Sequence, residues 1–294
     1  MKDLRKYQFG MAALLLATVA GRGAESFAPS TRKVVRTMDG LDLVCDVRGQ
    51  GQTTLLFLHG WCGDRHFWKN QVEECAKDFR VVTYDQAGHG ESGKNRKTWN
   101  VSGMARDAET VARAVGTSRV ILVGHSMGGP ISLLAAKAMP GKVIGVIGVD
   151  TLQNVEAKIP ENVSKKLLDD LTADFKGTVG AAFGGMLTTN GDTDLRKWLV
   201  AKAQSQDQKM AVDLIHDLWT LDASLCLKDV KVPVRCINSA GGYLYFTPTA
   251  INTNQKYADY DAVSIPDVGH FIMLEKPAEF NQKFRELVKE LASK

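Results

Sequence analysis

Cysteine is scarce in this chain and arranged unhelpfully for metal or redox chemistry. There are five, at Cys45, Cys62, Cys75, Cys226 and Cys236, and no C-x-x-C pair among them. That spacing excludes the common zinc and dithiol motifs. If the chain is exported, Cys226 with Cys236 or Cys62 with Cys75 are candidate pairs, but single buried thiols are the simpler expectation. Charge of one sign is also short: the net charge is +4 over 294 residues, with no clustered basic patch. Recognition of a nucleic-acid backbone is therefore not expected. Internal repeats, low-complexity tracts, H-E-x-x-H and acidic clusters are missing, so no cofactor and no metal is called for. Between Asp229 and Asp259 there is no Asp or Glu.

Long apolar runs are few, and the first is too short to span a bilayer, which takes about 20 apolar residues. Lys2, Arg5 and Lys6 precede an apolar stretch from Phe9 to Val19, and small residues at Ala20, Gly21, Gly23 and Ala24 follow. This reads as an export signal within residues 1–28, imperfect at Arg22. A periplasmic or secreted protein without a stable membrane anchor is expected; the alternative is a cytoplasmic protein with an N-terminal extension. The remainder, in a chain 44% hydrophobic and 24% charged, is ample for one large domain carrying an inserted lobe.

The remaining apolar segments are organised. Lys33 to Arg36 and Leu41 to Val47 predict two strands around a Met38-Asp39-Gly40 turn. Thr53–Leu58, Arg80–Tyr84, Arg119–Val123, Lys142–Val149, Val232–Asn238 and Ala262–Ile265 predict strands, most of them short continuous apolar runs that suit burial on both faces. Helical patterns lie between them at His66–Asp78, from a Ser102 cap to Val115, at Pro130–Ala138, and at Pro277–Leu291. The alternation predicts an α/β fold with a doubly wound, mostly parallel sheet. From Thr151 to Lys228 the strand runs vanish. Glu161–Phe175, Thr193–Ala203 and Gln208–Leu221 read as amphipathic helices, with Gly177, Gly180, Gly184, Gly185 and the run Thr188 to Gly191 as breaks. The expected organisation is thus core over 29–150, a helical cap over 151–228, and core again over 229–294.

Ser126 lies in Gly124-His125-Ser126-Met127-Gly128, directly after the apolar run Val120 to Val123. Strand, tight turn and helix are the context in which G-x-S-x-G presents a nucleophile. A serine hydroxyl needs a base to react at neutral pH. Of six histidines, only His270 follows the final strand on a loop able to reach back over Ser126. His59 and His89 belong to turns, His66 starts a surface helix, and His216 lies on a helix of the lobe. His125 should point away from the hydroxyl. Gly88 to Gly93 fits the G-x-G-x-x-G string, but no helix opens inside it, which rejects a dinucleotide site. Asp85 reads as a structural strand-end residue.

Taken together, Leu58-His59-Gly60-Trp61, Tyr84 to Ser92, Gly124 to Gly129 and Ile265 to Pro277 resemble the α/β-hydrolase family, in that family's order and over nearly the whole chain after residue 28. The resemblance implies that Ser126 is the nucleophile and His270 the general base. It also implies an oxyanion hole made by the backbone N–H groups of Met127 and, from the loop after His59-Gly60, Trp61. The common position for the third member lies after the strand ending near Asn238, where no carboxylate is available. Some members carry the acid one strand earlier, and Asp150 ends that strand here. Its rivals are a turn or cap role for Asp150 itself, and Asp267, Asp259 or Asp261 as the acid. The expected activity is cleavage of a small or medium hydrophobic carboxylic ester, the substrate being the only partner called for; the oligomeric state is not legible. Phe183, Met186, Leu187, Trp198, Leu218 and Trp219 are candidates to line the pocket or simply to fill the lobe's core. A serine nucleophile argues against dehalogenation through an alkyl-enzyme. A cofactor-free perhydrolase or haloperoxidase-type activity and a non-catalytic ligand receptor remain as alternatives.

Overall fold

The computed structural model describes residues 30–188, 192–240 and 249–293. The export reading, and the break expected over 189–191, fall outside the described residues. No helix among those described is long and apolar enough to cross a membrane.

Eight strands form one sheet: β1 (Thr31–Arg36), β2 (Asp42–Arg48), β3 (Thr53–Leu58), β4 (Arg80–Tyr84), β5 (Arg119–His125), β6 (Val143–Val149), β7 (Val234–Ser239) and β8 (Tyr260–Ile265). Their spatial order is β1-β2-β4-β3-β5-β6-β7-β8. The β1–β2 and β2–β4 pairs are antiparallel, and the others are parallel. Continuous apolar runs explain the centre. Every residue of β3 is buried, as is every residue of β5 after Arg119, because helices cover both faces of a parallel sheet.

Helices α1 (Lys69–Cys75), α2 (Val101–Ala114) and α3 (Gly128–Ala138) fill the crossovers up to β6. Two of the differences from expectation have a direct physical cause. The segment expected as one helix from His66 opens instead as a 3-10 turn over Arg65–Trp68, capped by Asp64, before α1 begins. The cap of α2 is Asn100, not Ser102, because the Asn100 side chain accepts the Gly103 N–H at 2.7 Å.

Between β6 and β7 run α4 (Glu161–Ala173), α5 (Phe175–Gly185), α6 (Thr193–Gln204), α7 (Gln208–Thr220) and α8 (Ala223–Leu227). Here the glycines mislead. Gly177, Gly180 and Gly184 lie inside α5 rather than breaking it, despite a cost of about 1 kcal/mol each relative to Ala. Packing overrides propensity: a Cβ on Gly180 would stand 2.7 Å from the Gln204 amide of α6. Asp174 starts the helix by accepting the Gly177 N–H at 3.0 Å. After β7 come α9 (Ile251–Asn254), α10 (Ile272–Glu275) and α11 (Pro277–Ala292). Of these only α11 is legible as a period; the other two are single turns. All five thiols are free and buried, so neither candidate disulfide is formed.

Candidate active site

The carboxyl ends of β3, β5, β6 and the loop after β8 converge on one place, the usual position for a ligand in a wound sheet. Ser126 follows β5 with φ 53°, in the left-handed region that a side chain adopts at a cost of about 1–3 kcal/mol. Gly124 makes this elbow feasible, since a Cβ there would lie 2.1 Å from the Gly128 carbonyl oxygen. The Ser126 N–H donates to the Val149 carbonyl at 3.1 Å, which ties the elbow to the end of β6.

Asp150 is the next residue after Val149, also in the left-handed region at φ 45°. Its carboxylate is fully buried and accepts three donors. His270 Nδ1 donates to Oδ2 at 2.7 Å. The Ser239 N–H donates to Oδ1 at 2.8 Å, and Gln153 Nε2 reaches the same oxygen at 3.3 Å. A buried carboxylate needs such satisfaction, because an unpaired charge in the interior is costly. The structure therefore brings Asp150 and His270 together. It does not do so for the rivals. Asp267 is exposed, Asp259 pairs with Arg235 at 3.0 Å, and exposed Asp261 accepts the Ala262 N–H at 2.8 Å.

The main chain of His270 is held on both sides. Its N–H donates to the Met186 carbonyl at 2.7 Å. Its carbonyl accepts a bond from His125 Nε2 at 3.0 Å, and the two imidazole rings lie 4.5 Å apart. His125 does turn into the interior, against Phe67, Trp68 and Phe271. Its contribution to His270 was not legible: nothing in the sequence signals a contact across the end of the sheet. Burial drives the His125 pKa well below the ordinary value, with the neighbouring His270 adding to it, so His125 stays neutral.

The loop after β3 carries Trp61. A Gly63 N–H to Gly60 carbonyl bond of 3.1 Å closes its turn, and Cys62 sits at φ 54°. The Trp61 indole N–H donates to the Ala211 carbonyl of α7 at 2.8 Å, and the ring packs on Phe183 of α5 at 6.0 Å. Asp64 pairs with Lys202 of α6. Burial would raise the Asp64 pKa, but bonds from His66 and Lys202 outweigh it and hold the carboxyl well below the usual range. Met127 is buried at the start of α3. Behind this loop, His59 Nε2 accepts the Gln86 N–H at 3.0 Å, while the Gln86 amide donates to the His59 carbonyl at 2.7 Å. The His59 ring thus braces the ends of β3 and β4. Asp85, as expected, is structural: it accepts the Arg65 guanidinium at 2.5 Å and the Arg65 and Glu91 N–H groups.

Among the candidate lining residues, Phe183 joins Trp61 to Phe271 with ring centroids 5.7 Å apart, and Phe271 in turn packs on His270 at 5.3 Å. Trp198 instead lies against Phe67, beneath Lys69 and Lys202. Leu187 is buried, and Met186, Leu218 and Trp219 are partly buried against the core. No group of metal-binding side chains is present among the described residues.

A sequence model of the alpha/beta hydrolase fold matches residues 53–228, more than half of the chain. The chain belongs to that family. It is 24% identical over 261 residues to the 2-(acetamidomethylene)succinate hydrolase of Mesorhizobium japonicum, covering 81% of this chain and 89% of that protein. It is also 24% identical over 253 residues to the dihydrolipoyllysine-residue acetyltransferase component of the acetoin cleaving system of Pseudomonas putida, covering 81% of this chain and 64% of that one. In six other curated relatives the match covers 28–38% of the relative's own length. Among solved structures, the esterase EaEST of Exiguobacterium antarcticum superposes with a TM-score of 0.80 at 17% identity, over 88% of this chain and all of that one. At that identity the likeness speaks to the fold.

Proposed function

We propose that this protein is an exported serine hydrolase that cleaves small or medium, apolar carboxylic esters through an acyl-enzyme. The observation that carries the reading is the buried Asp150–His270 bond of 2.7 Å beside a serine held in a strained elbow at φ 53°. Asp150 accepts a hydrogen bond from the Nδ1–H of His270, which keeps the proton on Nδ1 and leaves Nε2 as the base. His270 takes the Ser126 hydroxyl proton as the oxygen attacks the ester carbonyl carbon. The N–H groups of Met127 and Trp61 stabilise the resulting oxyanion, a contribution of about 3–4 kcal/mol per well-placed donor. The tetrahedral intermediate expels the alcohol, which leaves with the proton from His270. Water, deprotonated by His270, then releases the acid and restores Ser126.

The segment 151–228 is read as a cap over this site. Three of its helices reach the loop after β3 or the His270 loop: α5 through Phe183, α6 through Lys202 and α7 through Ala211. The aromatic row Trp61, Phe183 and Phe271 supports an apolar acyl group, because burying a polar chain against those rings would leave its groups unpaired. Neighbours of the same fold from Thermogutta terrifontis and Exiguobacterium antarcticum are esterases by name.

A panel of p-nitrophenyl esters with graded acyl lengths tests the reading. Turnover should favour short to medium chains and fall at least 10³-fold in Ser126→Ala, given the loss typical of a missing nucleophile. A wild-type protein inert toward the whole panel, or a Ser126→Ala variant that retains full turnover, sinks it.

A further inference from the structure

Glu275 ends α10, five residues after His270, and its carboxylate turns back toward the segment that follows α5. Its Oε2 accepts both the N–H and the hydroxyl of Thr188, each at 3.0 Å. Two residues before Thr188, the Met186 carbonyl accepts the His270 N–H at 2.7 Å. The short run from Gly184 to Thr188 is also gripped from the other side. Arg196 of α6 donates to the Gly184 carbonyl, and to the Thr188 carbonyl at 2.8 Å. A closed ring of bonds results: His270, α10, Glu275, Thr188, Met186 and back to the His270 amide. The ring is tight. A Cβ on Gly269 would stand 2.3 Å from the Met186 oxygen, 2.8 Å from Glu275 Oε1 and 2.9 Å from the Leu187 Cα.

Glu275 is half-buried, with Oε1 enclosed and Oε2 facing Thr188. What the carboxylate supplies is geometry, since two donors on one residue meet a single oxygen and fix the Gly184–Thr188 run. We infer that Glu275 is a positioning residue for the general base: by pinning Thr188 it holds the Met186 carbonyl that orients His270 over Ser126. This rests on the Ser126, His270 and Asp150 reading given above, and it concerns the reacting geometry rather than substrate binding.

Three variants of the full chain test it: Glu275→Ala, Glu275→Gln and Thr188→Val. Glu275→Ala should lower kcat by about 10- to 100-fold with KM changed less than about threefold. The rate at which a fluorophosphonate labels Ser126 should fall by the same factor. Hydrogen exchange at the peptide containing the His270 amide should quicken while exchange in β5 and β6 is unchanged. Glu275→Gln, which keeps an acceptor oxygen, should recover most of the activity. Thr188→Val, which removes one of the two bonds, should fall between. A Glu275→Ala variant that labels and turns over as fast as wild type sinks the positioning role alone. So does one whose loss is wholly a smaller labelled fraction, with normal turnover per labelled site. A wild type that fails to label at all sinks the triad reading, and this inference with it.

Discussion

The carboxyl ends of β6 and β7 are neighbours in the sheet, yet they carry different chemistry. β6 is followed directly by Asp150, a buried carboxylate in a left-handed turn. β7 ends in Ser239, which contributes a backbone N–H to that carboxylate at 2.8 Å and a hydroxyl to the Val268 carbonyl at 2.7 Å. The acid and its support are thus divided between two strands. One strand end supplies the charge; the other supplies a donor to hold it and a tether for the loop that carries His270. A strand end without a carboxylate is therefore not idle, and the missing acid between Asp229 and Asp259 is matched by a donor in the right place.

The sharpest way to break this comparison is to neutralise the β6 end. Asp150→Asn should lower kcat by about 10⁴-fold, because an amide facing His270 Nδ1 favours the wrong tautomer. Near-normal turnover, measured on any ester the wild type accepts, would show that the charge belongs elsewhere.

Acid should expose a second contrast, because burial makes three histidines, His59, His89 and His125, resist protonation in the folded chain. Burial lowers the pKa of His59 to about 4 and that of His89 to about 3, and that of His125 well below normal. These folded values lie below the unfolded value near 6.5, so above pH 6.5 the three cost nothing. As pH falls from 6.5 toward 4 the unfolded chain gains protons that the folded chain refuses. Stability should drop by about 1.4 kcal/mol per histidine for each pH unit in that window. Asp64, held below its usual range, adds a loss only when pH falls below about 4. Thermal melts at graded pH would read this, and His89→Gln should remove one proton from the slope. A melting temperature that is flat between pH 7 and 5 would contradict it.

The smallest effect is expected at the β7 end. Ser239→Ala keeps the backbone donor to Asp150 but leaves the buried Val268 carbonyl without its hydroxyl partner, a loss of about 1–3 kcal/mol. Chemical denaturation should show that loss, with kcat down only a few-fold. A fall comparable to that of Asp150→Asn would erase the distinction between charge and support.

Much of this arrangement was legible in the sequence because it depends on local apolar runs. Thr53–Leu58 and Arg80–Tyr84 have the same limits in the structure as in the pattern, and Asp150 stands out as a carboxylate at the end of a run that must be buried. The helical segment was less legible, for a physical reason. Gly177, Gly180 and Gly184 carry a local preference for breaking a helix, which the Asp174 cap at Gly177 and the close approach of α6 to Gly180 and Gly184 override. The bonds of His125 to the His270 carbonyl and of Glu275 to Thr188 join residues 145 and 87 positions apart, and no periodicity reports a contact of that kind. The 2.7 Å bond from His270 to Asp150, across 120 positions, could be reached only by matching side-chain types to strand ends.

The most direct measurement is the rate at which a fluorophosphonate modifies Ser126 in wild type and in Asp150→Asn, with the adduct mapped by peptide mass. A single adduct on Ser126 is expected in the wild type and a rate at least 10³-fold lower in the variant, with the fold intact by circular dichroism. An adduct on another residue, or an unchanged rate in Asp150→Asn, would contradict it.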